Sequence, residues 1–201
     1  GMAKYMKESK KELIIVGVEC NHEGNRRLVE YSPLTYQNSE HGRIKGKGNV
    51  MMNWIINTLK PYVDTNYRTL PDRKNTIIAG SSMGGLMALY AAVHYNRWFS
   101  KAACVSSAVG FCIRPLMKDM RSQVMDPDTR IYLSWGTREA KKQNVNRADR
   151  SSPTYHNNKA VGDYLKSLKA AVKLDCQVGG GHCEADWERL VPTFMNFLWM
   201  E

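Results

Sequence analysis

The sequence predicts an α/β fold, a mostly parallel sheet covered by helices on both faces, and three observations predict it. Short apolar runs rich in β-branched residues recur along the chain, as in strands buried on both sides. Between and after them lie longer stretches whose apolar residues follow the 3.6-residue spacing of a helix face. Strand and helix alternate, the order that builds a parallel sheet with crossover helices.

Taken in order, the first twelve residues read as a basic tail, flexible in expectation, with Lys4, Lys7, Lys10 and Lys11. Leu13 to Val18 is the first expected strand, followed by a polar, turn-rich stretch from Glu19 to Lys47. Asn49 to Val63 reads as a helix, Thr76 to Ala79 as a strand and Met83 to Tyr95 as the helix after it. Lys101 to Ser106 and Arg130 to Trp135 are further strands, separated by a more weakly patterned helix over Arg114 to Val124. Thr137 to Asn158 is basic and polar. Loops as long as this one and Glu19 to Lys47 are uncommon in compact domains and often border an active site.

Val161, Tyr164, Leu165, Leu168, Ala171 and Val172 mark one face of a helix, and Lys173 to Val178 reads as the last strand. Trp187, Leu190, Val191, Phe194, Phe197 and Leu198 repeat the helical spacing at the C-terminus. Pro192 lies inside that pattern and predicts a kink or restart, because proline has no N–H to donate.

At 201 residues, with 43% hydrophobic and 24% charged, the chain has the composition of one globular domain spanning residues 1–201. No apolar run approaches the roughly 20 residues needed to cross a bilayer, and the start lacks a secretory pattern, so a cytoplasmic protein is expected. Gly1 before Met2 reads as a tag-cleavage remnant. The five cysteines are odd in number and form no C-x-x-C pair, which argues for free thiols rather than a disulfide framework or zinc ribbon. The net charge of +10 is scattered and not interleaved with aromatics, so a nucleic-acid partner is not expected.

The chemistry concentrates at Gly80-Ser81-Ser82-Met83-Gly84-Gly85, between an expected strand and an expected helix. That is the context of the G-x-S-x-G elbow, in which a strained turn lifts a serine out at the sheet's edge. Ser82, with glycine at both −2 and +2, is the expected nucleophile; Ser81 is the neighbouring competitor. Side chains at Gly80 and Gly84 are expected to collide with the adjoining strand and helix. The Met83 amide, at a helix start where N–H groups lack intrahelical partners, is the expected oxyanion donor.

A serine hydroxyl needs an imidazole to take its proton. Of His22, His41, His94, His156 and His182, only the last follows the final strand and precedes the final helix, behind Gly179-Gly180-Gly181. A metal reading of His182, Cys183, Glu184 and Asp186 is weaker, since all crowd into one turn. The third member should follow a strand between serine and histidine. Glu139, after Arg130 to Trp135, is the choice; Asp149, Asp163 and a dyad without an acid are the alternatives.

These residues, in this order, resemble the esterase group of α/β-hydrolases that includes esterase D (S-formylglutathione hydrolase), enterochelin esterases, feruloyl esterases and mycolyltransferases. The resemblance runs through Ile14-Ile15-Val16-Gly17-Val18, Glu30-Tyr31-Ser32-Pro33, Leu59 to Asp64, Ala79 to Leu86, Trp135 to Glu139 and Gly181-His182. It implies acyl transfer from a small-molecule ester or thioester through a covalent Ser82 intermediate, without cofactor or metal. It also implies a shortened fold. Leu13 to Val18 matches a later strand of the family, so an internal strand beside the nucleophile strand, and the loop bearing the second oxyanion amide, have no counterpart. An open strand edge of that kind invites pairing, and a homodimer is expected. A hydrolase frame weakened in catalysis and serving as a binding module is the alternative function.

Overall fold

The computed structural model describes residues 1–139 and 144–199. Helix α1 (Met2–Ser9) leads through an unpaired stretch to α2 (Arg26–Glu30) and a small antiparallel hairpin of β1 (Tyr36–Asn38) and β2 (Gly42–Ile44). Helix α3 (Gly48–Trp54) continues through a π-helical segment, Ile55–Leu59, into α4 (Lys60–Asn66). The wider turns run up to Pro61, which has no N–H to return to the preceding turn. Strand β3 (Ile77–Ser81), α5 (Met83–His94), β4 (Lys101–Val105), α6 (Ile113–Met120), β5 (Arg130–Gly136), α7 (Pro153–Ser167) and β6 (Ala171–Gln177) follow, and α8 (Glu184–Glu188) and α9 (Val191–Trp199) close the chain.

Strands β3, β4, β5 and β6 form one parallel sheet in that order, with Ser81 opposite Val105 and Gly136 opposite Gln177. Alternation along the strands divides the core. Ala102, Cys104, Ile131 and Leu133 point into one cluster with Leu86, Leu89 and Leu165, whereas Ala103, Val105 and Tyr132 meet Phe194, Met195 and Leu198 on the opposite face. Both faces are therefore covered, as the continuous apolar runs require. A third cluster, Met52, Ile56, Met87, Ala91 and Phe99, seats α3 and the π segment on the outer side of α5.

Several expectations are corrected. Residues 2–9 are not a loose tail: they form α1, Tyr5 is buried and its hydroxyl donates to Asn196 Oδ1 at 2.9 Å. Leu13 to Val18 has the composition of a strand but no strand pairing. Ile14, Ile15 and Val16 are 48%, 55% and 44% exposed. A strand exists through its ladder with a neighbour, and here β3, the edge of the sheet, lies across a groove of about 1830 Å³. Leu13, Ile14, Val16 and Val18 line that groove together with the residues of β3.

The helical periodicity through Val172 overruns the true end of α7. Lys169 adopts a left-handed conformation (φ 69°) that stops the helix, and Ala171 and Val172 already belong to β6. At the C-terminus the break falls where Pro192 predicts it, with α8 ending at Glu188 and α9 restarting at Val191. The two polar stretches contain structure of their own: α2 and the hairpin in the first, the start of α7 in the second, of which residues 140–143 lie outside the described residues.

This burial pattern sets a contrast in stability. Leu133→Ala should cost about 3 kcal/mol in urea unfolding, since Leu133 is fully buried. Ile15→Ala should change stability by less than about 0.5 kcal/mol. Comparable losses for the two would show that Leu13 to Val18 is packed as a strand after all.

Candidate active site

At the C-terminal ends of β3, β4 and β5, and beyond β6, four turns converge. The first carries Ser82, whose backbone (φ 57°, ψ −120°) lies in a region an L-residue rarely occupies. It is held there from both sides: the Ser82 N–H donates to the Val105 carbonyl at 3.0 Å, and the Ala108 N–H donates to the Ser82 carbonyl at 3.1 Å. Gly80 is obligatory, because a Cβ there would meet the Gly84 carbonyl carbon and oxygen at 2.4 Å. Gly84 is not crowded in the expected way, for a Cβ at that position meets nothing within 4 Å. The tight second glycine is Gly85, whose Cβ would lie 2.9 Å from the Val105 carbonyl oxygen. Met83, with its side chain buried, is the first residue of α5, so its amide stands at the positive end of that helix.

His182 comes from the turn between β6 and α8, and its Nε2 lies 2.9 Å from Ser82 Oγ. Asp186, on α8, accepts from the Gly181 N–H at 2.8 Å and thereby fixes the residue before the imidazole. That bond, chiefly, holds the Asp186 carboxyl below the ordinary aspartate range. The restraint is thus in place at neutral pH and is lost as pH falls through the lowered value. The Trp187 ring meets the imidazole edge-on, with centroids 4.9 Å apart.

The turns after β5 and β6 are laced together. Arg138 N–H donates to the Gly180 carbonyl at 2.8 Å, Thr137 N–H to the Gln177 carbonyl at 3.1 Å, and Gly179 N–H to Thr137 Oγ1 at 2.8 Å. Gly136 makes that approach possible, since a Cβ on it would stand 2.2 Å from the Gly180 oxygen. The result puts Glu139 Oε2 3.5 Å from His182 Nδ1, with the glutamate side chain 9% and the histidine 44% exposed.

The competing acids lie elsewhere. Asp149 accepts from the Asn144 and Ser151 amides within its own loop, and Asp163 pairs with Lys159 on α7. The other histidines are likewise engaged away from Ser82: His94 with Asp119 at 2.5 Å, His22 with Glu19 at 3.2 Å, His41 with Glu40 at 4.0 Å and His156 against the Tyr155 ring. Cys183 Sγ lies 3.5 Å from Asp186 Oδ2, but among the described residues no group of three or more His, Cys, Asp or Glu side chains is disposed to hold a metal.

Sequence reading missed Ser106 and weighed Asp186 only as a metal ligand. Ser106 hides at the end of an apolar strand, and Asp186 sits at the third helical position of α8, where a carboxylate commonly reaches back to a preceding N–H. Replacing it should free that amide: Asp186→Ala should speed hydrogen exchange at Gly181 while amides of β4 and β5 stay protected, as read by NMR. Unchanged exchange would show that the turn is held by its other bonds.

Comparison with known proteins agrees with this architecture. The family model described as "Putative esterase" matches residues 2–197. A curated relative, the uncharacterized protein YbbA of Bacillus subtilis (strain 168), is 25% identical over 143 residues, 68% of this chain and 54% of its own length. The chain thus spans about half of that relative. Among solved structures, an IroE-like serine hydrolase from Shewanella oneidensis superposes with a TM-score of 0.65 at 17% identity, covering 85% of this chain and 56% of the other. The siderophore hydrolase EstA from Aspergillus nidulans gives 0.64 at 16% identity, over 89% and 67% of the two chains. The enterobactin esterase FES from Shigella flexneri, in the presence of enterobactin, gives 0.60 at 23% identity, over 76% and 37%. The likeness to these structures is one of fold, a parallel sheet between helices in the shortened manner of an α/β-hydrolase, and the match along residues 2–197 establishes that the chain belongs to the esterase family.

Proposed function

We propose that the chain is a serine carboxylester hydrolase working through an acyl-enzyme on a small ester or thioester. The observation that carries this reading is the 2.9 Å contact between Ser82 Oγ and His182 Nε2, made by a serine in a strained turn at a helix start. In the first half-reaction His182 Nε2 takes the Ser82 proton as Oγ bonds to the acyl carbon, and the carbonyl electron pair moves to its oxygen beside the Met83 N–H. Collapse of that intermediate breaks the bond to the leaving alcohol or thiol, which departs with the proton from His182. Water then repeats the sequence on the acyl-Ser82, its proton passing to His182 and back to Ser82 as the acid leaves. Glu139, facing Nδ1, holds the imidazole with Nε2 toward the serine and offsets the charge it gains.

Ester hydrolysis agrees with family membership. No cofactor enters these steps. The unpaired edge of β3 and the groove beside it favour a second reading, a weakened hydrolase frame that binds a partner or a second copy there.

A fluorophosphonate probe separates the two. The esterase reading expects stoichiometric labelling at Ser82 and none in Ser82→Ala; the binding-module reading expects neither protein to label. With p-nitrophenyl acetate, and with enterobactin as a second substrate, Ser82→Ala should lower kcat by about 10⁴-fold or more, and Glu139→Ala by about 10² to 10⁴. Equal rates for wild type and Ser82→Ala would overturn the assignment.

A further inference from the structure

Ser106 is the first residue beyond β4, and it shares the conformational oddity of Ser82. Its φ is 45°, so two non-glycine residues with positive φ follow the register pair Ser81 and Val105 on neighbouring parallel strands. Ser106 is 2% exposed. Its N–H donates to Ser134 Oγ on β5 at 3.1 Å, which fixes the backbone, and its hydroxyl donates to Glu139 Oε1 at 2.6 Å. The Gly136 N–H donates to the same oxygen at 2.6 Å. With Oε1 held by two donors, the carboxylate can turn only its other oxygen outward, and that oxygen, Oε2, is the one facing His182 Nδ1.

At Ser106 the positive φ falls on a residue with a side chain. A serine here gives up a relaxed conformation, and the cost of a positive φ persists only where the surroundings over-determine it. The bond its hydroxyl makes is charge-assisted and nearly dry, the kind that resists loss most strongly. The same turn also holds the nucleophile: Val105 accepts from the Ser82 N–H, and Ala108 donates to the Ser82 carbonyl. One short segment, residues 105–108, thus grips both ends of the Ser82, His182 and Glu139 array.

We infer that Ser106 is a positioning residue for the acid, acting on His182 only through Glu139. The inference deepens the esterase reading and rests on it for its kinetic consequence, though its geometric consequence stands apart from turnover.

The test uses Ser106→Ala and Ser106→Gly, the latter because glycine adopts a positive φ without strain and keeps the fold. Both should lower kcat by about tenfold with KM unchanged. In a Glu139→Ala background, Ser106→Gly should change kcat by less than about twofold, because its only route to the imidazole is already gone. A Ser106→Gly protein with wild-type kcat, or a tenfold loss repeated in the Glu139→Ala background, would overturn the inference. If wild type shows no esterase activity, the esterase reading fails and the geometric claim is read by NMR instead. Ser106→Gly should then move or broaden the His182 Nδ1 proton resonance as Glu139→Ala does, and an unmoved resonance would overturn it.

Discussion

The site depends on a single piece of backbone geometry, the clasp between the turns that leave β3 and β4. Parallel strands in register bring their C-terminal ends level, so the residues after Ser81 and Val105 emerge side by side. The carbonyl of Val105 takes the Ser82 amide, and the Ala108 amide takes the Ser82 carbonyl, which leaves Ser82 no freedom to relax out of its left-handed conformation. Gly80 and Gly85 permit this because their missing side chains let α5 begin against the strand rather than beyond it. Without that clasp the hydroxyl of Ser82 would turn away from the imidazole.

A second clasp does the same for His182 and Glu139. Gly136 and Gly180 touch backbone to backbone, and three hydrogen bonds join the turns after β5 and β6. His182 and Glu139 ride on these two turns, so their relative placement follows from main-chain contacts rather than from long, mobile side chains. Fixed donors around Glu139 and Asp186 decide which oxygen faces which partner.

Much of this was legible from the residues alone. The run of glycines and serines at 80–85, set between a β-branched stretch and an alanine-rich helix, carries its turn in its composition, and Gly179 to Gly181 announces a close-approaching loop in the same way. What was not legible belongs to longer range. Leu13 to Val18 reads as a strand because intrinsic preference favours it, yet preference cannot supply the neighbour a ladder needs. The end of α7 was overrun because periodicity continues into β6 and only the backbone of Lys169 marks the stop. Gly84 was credited with a crowding that Gly85 bears, since the sequence spacing of an elbow does not say which glycine faces the adjoining strand. Ser106 gave no signal at all: a hydroxyl at the end of an apolar run is ordinary until its partner, 33 positions away, is known.

The sheet is lopsided in a way that bears on how the molecule moves. β4 and β5 are bonded on both sides and sealed on both faces, whereas β3 is bonded on one side only and none of its residues is fully buried. The strand that leads into Ser82 is therefore a half-open edge, as is β6 at the opposite margin. Fluctuations that fray the sheet begin at its two margins, β3 before Ser82 and β6 before His182, rather than in the sealed pair of strands between them.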